Sequence, residues 1–340
     1  MENFKGYSKE DMCRLVGSPE QIYSVKKYTV DEGKGKGNSI YQVVTGGQLQ
    51  YDISIDNCMD LANLSYKGVN ISFISKNGSL VSPHTSENGV SSFPYVFNGG
   101  MLYTCGLLNT GGSVVDEDGS FHPTHGRIHA IPAQNTGVDI QNGIITVKGT
   151  SYETALFGHS LELQRTITSK IGSSIIEIDD ILTNNTPADE EYVIIYHMNF
   201  GFPFLSPSLK VKLPENIKTV PVTDHAAEYT GRETEMTMPI DGEEETLFTH
   251  TIDESKRGDM SYVILENPDL GIGARLGYKT DTLPVMAQWR CMRSGEYVLG
   301  IEPTNSYILN RKNERANGTI GHIKAFESIK MHVELEFYDL

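Results

Sequence analysis

The sequence predicts an all-β fold, a large antiparallel β-sandwich, and three observations carry that prediction. First, short runs rich in Val, Ile, Tyr and Thr, divided by Gly, Asn and Asp, recur from residue 39 to the C-terminus. They include SIYQVVTGG (39–47), LQYDISID (49–56), GIITVKGTSYE (143–153), LELQRTITS (161–169), SSIIEIDDILTNN (173–185) and EYVIIYHMNF (191–200). Second, several of these alternate with a period of two. In SIKMHVELEFYDL (328–340), Ile329, Met331, Val333, Leu335 and Phe337 share one face, and Lys330, His332, Glu334, Glu336 and Tyr338 the other. That pattern describes antiparallel strands with one wet side. Third, helical periodicity is nearly absent and no βαβ alternation occurs, which argues against a parallel α/β fold.

At 340 residues the chain has the size of about two domains, but large all-β folds often run as one. No linker rich in Pro, Gly or Ser interrupts the strands, so one domain over residues 1–340 is expected, with a short N-terminal extension over about 1–24. That extension predicts one helix, with Ser8 as N-cap ahead of KEDMCRLVG and Gly17 as a stop. The acidic tract IDGEEETLFTHTIDESKRGD (240–259) reads as a solvated loop or edge hairpin without chemistry.

Lys and Arg number 28 against 44 Asp and Glu, a formal charge of −16, which argues against nucleic acid and anionic membrane as partners. No apolar run is long enough to cross a bilayer, and the N-terminus has no apolar signal-like segment. The four cysteines (Cys13, Cys58, Cys105, Cys291) show no metal-ligand spacing. Reduced, mostly buried thiols and a cytoplasmic location are the expectation.

Three stretches carry chemistry. In VMAQWRCMRSGEYVLGIEPTN (285–305), Glu302 follows an apolar run and precedes Pro303, so it is expected where a strand stops, near the single tryptophan, Trp289. In HPTHGRIHAIPAQN (122–135), His122, His125, Arg127 and His129 fall close together. On a strand His125, Arg127 and His129 would point the same way, toward a row of ligand hydroxyls. Satisfied structural histidines are the alternative. A metal site is disfavoured, because no carboxylate sits at ligand spacing and an arginine would repel the cation. In VIIYHMNFGFPFL (193–205), His197 interrupts an apolar strand and Asn199 follows on the same face. His197 is either a core histidine or a proton donor.

The ordered set HGRIHAIPA, YHMNFGFPFL and GIEPTN, preceded by GGMLYTCGLLN (99–109), resembles the galactose mutarotase (aldose 1-epimerase) superfamily. More narrowly, it is similar to a group of uncharacterised aldose 1-epimerase-like proteins with a GG-x-x-x-TCGL segment before an HGR motif. The resemblance implies a large antiparallel supersandwich and interconversion of sugar anomers without cofactor or metal. It implies Glu302 as general base, His197 as general acid and His125 near the ring oxygen, with Glu302 ionised and His197 protonated together. Arg127, His129, Asn199, Gln288, Trp289 and Asn305 would bind a monosaccharide or sugar phosphate. A homodimer is compatible with this reading. A non-catalytic carbohydrate-binding protein on the same scaffold is the rival. Glycoside hydrolysis needs two carboxylates, and only Glu302 is well placed for it.

Overall fold

The alternation predicted for the last strand, Ser328–Asp339, is what the structure shows: Met331, Val333, Leu335 and Phe337 are buried. The computed structural model describes residues 4–81, 93–215 and 217–340. Three main antiparallel sheets carry the fold. Five strands between Ser24 and Asn70 pair in sequence order. An eight-stranded sheet runs in the order Gln134–Gln141, Ile144–Thr154, Ser160–Lys170, Ile175–Asn184, Ser328–Asp339, Ile272–Lys279, Met260–Asn267, Lys210–Lys212. A seven-stranded sheet runs Ile217–Pro221, Thr246–Ile252, Val285–Arg293, Glu296–Thr304, Glu190–Gly201, Gly321–Ile323, and Leu102–Leu107 also pairs with Glu190–Gly201. One apolar core, with Tyr51 and Leu64, Ile178 and Leu335, and Met198 and Ile301, joins all three. Ser8 caps the helix Lys9–Leu15 through a capping box with Asp11. Among the described residues no helix is long and apolar enough to cross a membrane.

Two local expectations are corrected. The tract 240–259 is a solvated loop only at its ends: Thr246–Ile252 lies inside the seven-stranded sheet, between Ile217–Pro221 and Val285–Arg293. Nor does the strand stop at Glu302, since Pro303 stays within Glu296–Thr304 and pairs with Met286. Toward Glu190–Gly201 the ladder holds at Ile195–Thr304 and at Met198–Ile301 and is interrupted between them. Pro303 has no N–H to donate there, so the gap falls beside Glu302 and His197.

A buried ionic network ties the sheets together behind the site. Arg165, from the eight-stranded sheet, donates through Nε and Nη2 to Asp180 and through Nη1 to Asp60 of the five-stranded sheet at 2.8 Å. The Tyr196 hydroxyl, from the seven-stranded sheet, donates to Asp180 at 2.7 Å. Asp60 also accepts from the Thr104 backbone N–H at 2.8 Å.

Candidate active site

The strand register decides which predicted residues can meet. Residues paired across an antiparallel ladder share a face, and the next residue along points the other way. His197 pairs with Tyr103, Asn199 and Trp289 both pair with Gly300, and Ala287 pairs with Glu302. One face of the seven-stranded sheet therefore presents Tyr103, His197, Asn199, Trp289 and Glu302. Apolar neighbours Phe73, Phe97, Cys105, Ile195, Cys291 and Val298 pack into a second, smaller core on that face.

The centre of this face is a histidine–carboxylate pair. His197 Nε2 lies 3.2 Å from Glu302 Oε1, with the residues 5% and 1% exposed. Gly300 makes this possible: a Cβ there would stand 2.3 Å from Glu302 Oε1 and 3.1 Å from Trp289 Cβ. The Trp289 ring meets the His197 ring edge-on at 5.4 Å, and its indole N–H donates to Glu245 at 2.7 Å. Phe97 lies 5.7 Å from the His197 ring.

His125 approaches from the HGR turn, its ring 6.0 Å from His197 and 5.0 Å from Phe93. Its backbone is left-handed at φ 58°, an uncommon state for a side chain larger than glycine. Gly126 follows at φ 77°, where a Cβ would collide with the Gly106 carbonyl. Three backbone bonds hold the turn: Gly106 N–H to His125 O, Arg127 N–H to Gly106 O and His125 N–H to Gly111 O.

Among the described residues His197 Nδ1, His125 Nδ1 and Asn199 Oδ1 have no hydrogen-bonding partner, and Glu302 Oε1 has only its 3.2 Å approach to His197 Nε2. Buried polar atoms are ordinarily satisfied, so such a cluster marks a place built for something other than packing.

Burial also decides the charge state, and the expected ion pair is corrected. Loss of hydration pushes the Glu302 carboxyl well above its ordinary range, and the nearby Glu245 charge adds to the shift. Burial pushes His197 down to about 3 and His125 down to about 4. Both shifts favour the uncharged forms, a protonated carboxyl beside a neutral imidazole. This has a measurable consequence. A carboxyl raised above its unfolded-state value of 4.5 contributes stability that is present below that pH and lost as pH rises through the folded value. His197, depressed to about 3, has the opposite trend between there and 6.5, and that trend is common to wild type and variant. Glu302→Gln removes only the Glu302 effect. Its urea-unfolding free energy is expected to gain on wild type by up to about 1.4 kcal/mol per pH unit above the unfolded value. A difference that stays flat from acid to neutral pH would show that the carboxyl is not held neutral.

Four predicted binding residues lie elsewhere, each for a definite reason. Gln288 points to the opposite face from its neighbour Trp289, where its Oε1 meets His250 at 3.0 Å and its Nε2 donates to the Glu233 carbonyl. Asn305 repairs the strand ladder, accepting from the Ile194 N–H at 2.8 Å and donating to the Tyr192 carbonyl. The expected strand through His125, Arg127 and His129 is a left-handed turn followed by the 3₁₀ segment Ile128–Ala130. His129 is consequently turned into the ionic network, with Nδ1 2.9 Å from Asp60 and Nε2 3.3 Å from the Asn57 amide. Arg127 is exposed, donates to the Phe121 carbonyl and faces a separate cavity.

Tyr103 and Glu245 are site-face or rim residues that sequence reasoning missed. Tyr103 sits in the GGMLYTCGL motif opposite His197, and its ring stacks on His129 at 3.5 Å. Glu245 lies in the tract expected to be inert.

Comparison with known proteins bears on the fold and the family. The model of the family described as "Domain of unknown function (DUF4432)" matches residues 35–337. No curated protein matches the chain. Among solved structures, a candidate aldose 1-epimerase from Klebsiella pneumoniae superposes with a TM-score of 0.87 at 23% identity, covering 94% of this chain and 86% of that one. A galactose mutarotase-like protein from Clostridium acetobutylicum gives 0.67 at 13% identity, covering 94% of this chain and all (100%) of that one. Galactose 1-epimerase from Lactobacillus acidophilus gives 0.61 at 10% identity, covering 93% and 99%. Identities this low establish the fold, a mutarotase-like β-sandwich. With the family model spanning residues 35–337, the chain belongs to the DUF4432 family.

Proposed function

We propose that the protein is an aldose 1-epimerase acting on an uncharged monosaccharide, with His197 and Glu302 as its acid–base pair. The observation that carries this reading is the buried His197–Glu302 contact at 3.2 Å, surrounded by unpaired polar atoms and aromatic rings. Ring opening moves two protons. The C1 hydroxyl loses one to a base, the C1–O5 bond breaks with its electrons going to the ring oxygen, and the ring oxygen takes a proton from an acid. The aldehyde turns about C1–C2 and closes by the reverse steps. A pair sharing one proton supplies one acid and one base at every stage, and the roles exchange between opening and closing.

The resemblance assigns the base to Glu302, which requires the proton on His197, whereas burial alone puts it on the carboxyl. Sugar hydroxyls donating to Glu302 Oε1 would favour its ionised form and so move the proton to His197. His125 would bond near the ring oxygen, Asn199 would take a hydroxyl, and Trp289 and Phe97 would flank the sugar's apolar face. Among the described residues Glu302 pairs with no Lys or Arg, and with the Glu245 carboxyl nearby this supports a neutral sugar over a phosphorylated one.

The test pairs two measurements on a panel of neutral aldoses. Trp289, the only tryptophan, should change fluorescence on binding, and for at least one of these sugars polarimetric relaxation of a fresh solution should quicken. Fluorescence change without faster relaxation for any of them would favour the carbohydrate-binding rival.

A further inference from the structure

A cavity of about 1480 Å³ opens on the other side of the HGR turn from the His197–Glu302 pair. The β-hairpin 144–170, the 116–131 segment and the helix Arg311–Asn317 enclose it, and it shares Phe93 and Tyr103 with the edge of the aromatic cluster. Two of its side chains are buried yet incompletely bonded. Glu153 is 3% exposed; one oxygen accepts the Leu107 N–H at 2.9 Å, and Oε1 has no partner among the described residues. His122 is 5% exposed and its Nδ1 likewise has no partner among the described residues.

The cations of the cavity differ in how they are used. Arg311 and Arg315 are neutralised by Asp116 and Glu191 at 2.7–3.2 Å. Arg127 makes no ion pair among the described residues, and its one bond goes to the Phe121 carbonyl at 2.6 Å. It lines the cavity together with His122, Glu153 and His159. A planar fork without a counter-ion, beside unpaired groups suited to hydroxyls, matches a ligand carrying both functions. The wall also holds Asp116, Asp118, Glu153 and Glu190, which disfavours a doubly charged ligand.

We propose that this cavity is a second binding site, separate from the His197–Glu302 pair, for a polyhydroxylated monocarboxylate. The carboxylate lies on Arg127, and hydroxyls meet Glu153 Oε1 and His122 Nδ1. Burial pushes Glu153 up to about 7, so near neutrality it can donate to a hydroxyl as well as accept from one.

Calorimetric titration tests this with gluconate, glucose and glucose 6-phosphate on the whole protein. Gluconate should bind wild type, and Arg127→Ala should weaken it by about tenfold or more, because a charge-assisted contact is lost. Arg127 is exposed, so the variant should fold. Glu302→Gln should leave gluconate affinity unchanged, which separates this site from the proposed epimerase site. The proposal is overturned if gluconate gives no saturable binding, if Arg127→Ala binds it as wild type does, or if Glu302→Gln abolishes it. Tighter binding of glucose 6-phosphate than of gluconate would overturn the choice of a monoanion.

Discussion

Glu302→Gln is expected to slow catalysed anomer interconversion by ~10²- to 10⁴-fold, while the protein stays folded. The amide keeps the shape of the carboxyl but can neither carry the transferable proton nor accept the one from the C1 hydroxyl. His197→Asn should have a comparable effect, since it removes the other end of the same pair, 3.2 Å away. The double variant should be little worse than either single one, because the two groups act on one proton inventory. Stability provides the control. The same Glu302→Gln change that removes activity should increase unfolding free energy above the unfolded carboxyl value of 4.5, since burial of an ionisable group is no longer opposed by its hydration. A variant that is inactive because it has collapsed would lose both. Full activity in Glu302→Gln would remove the carboxyl from the mechanism.

The second large effect lies behind the site. Arg165→Met should destabilise the fold by about 3–5 kcal/mol, because it leaves the buried carboxylates of Asp60 and Asp180 without their counter-ion. Asp60 is held from three directions, by Arg165, by the Thr104 N–H and by His129. Tyr196, on Asp180, precedes His197 in the chain, so loosening the network should also disturb the site strand. Replacing Arg165, Asp60 and Asp180 together by apolar residues should cost less than Arg165→Met alone, since no buried charge is then unpaired. Urea unfolding measures both. A loss within about 1 kcal/mol for Arg165→Met would mean that the network does not join the sheets as described.

The sheets were legible because alternation is a local property. Ser328–Asp339 reads correctly from a period of two, and Ile144–Thr154 from its Val-, Ile- and Thr-rich run. The same periodicity held a signal that went unread. In Ser160–Lys170, Leu161, Leu163, Arg165 and Ile167 share the inward phase, and in Ile175–Asn184 so do Ile176, Ile178, Asp180 and Leu182. Charges at inward positions, Glu153 among them, announce buried ionic groups, because a lone charge is costly to bury. Parity also bore on the site, since Gln288 and Trp289 are consecutive on a strand and cannot face one ligand.

What could not be read was set by distant partners. Pro303 suggested a strand end, yet it is carried through by pairing with Met286 on the Val285–Arg293 strand. His129 looked like a ligand residue until Asp60 and Asn57, far away in the chain, engaged both ring nitrogens. Glu245 gains its place through the indole N–H of Trp289. The charge state of the His197–Glu302 pair depends on burial by Phe73, Phe97 and Trp289, which no single motif reports.

Magnetisation exchange between the α and β anomers of a neutral aldose at equilibrium tests the central claim most directly, because it observes ring opening and closing without a net reaction. With wild-type protein, at least one neutral aldose should show anomer exchange well above the spontaneous rate, and the increase should vanish with Glu302→Gln. Exchange at the spontaneous rate for every neutral aldose that binds, or equal acceleration by wild type and Glu302→Gln, would contradict the assignment of His197 and Glu302 as an acid–base pair.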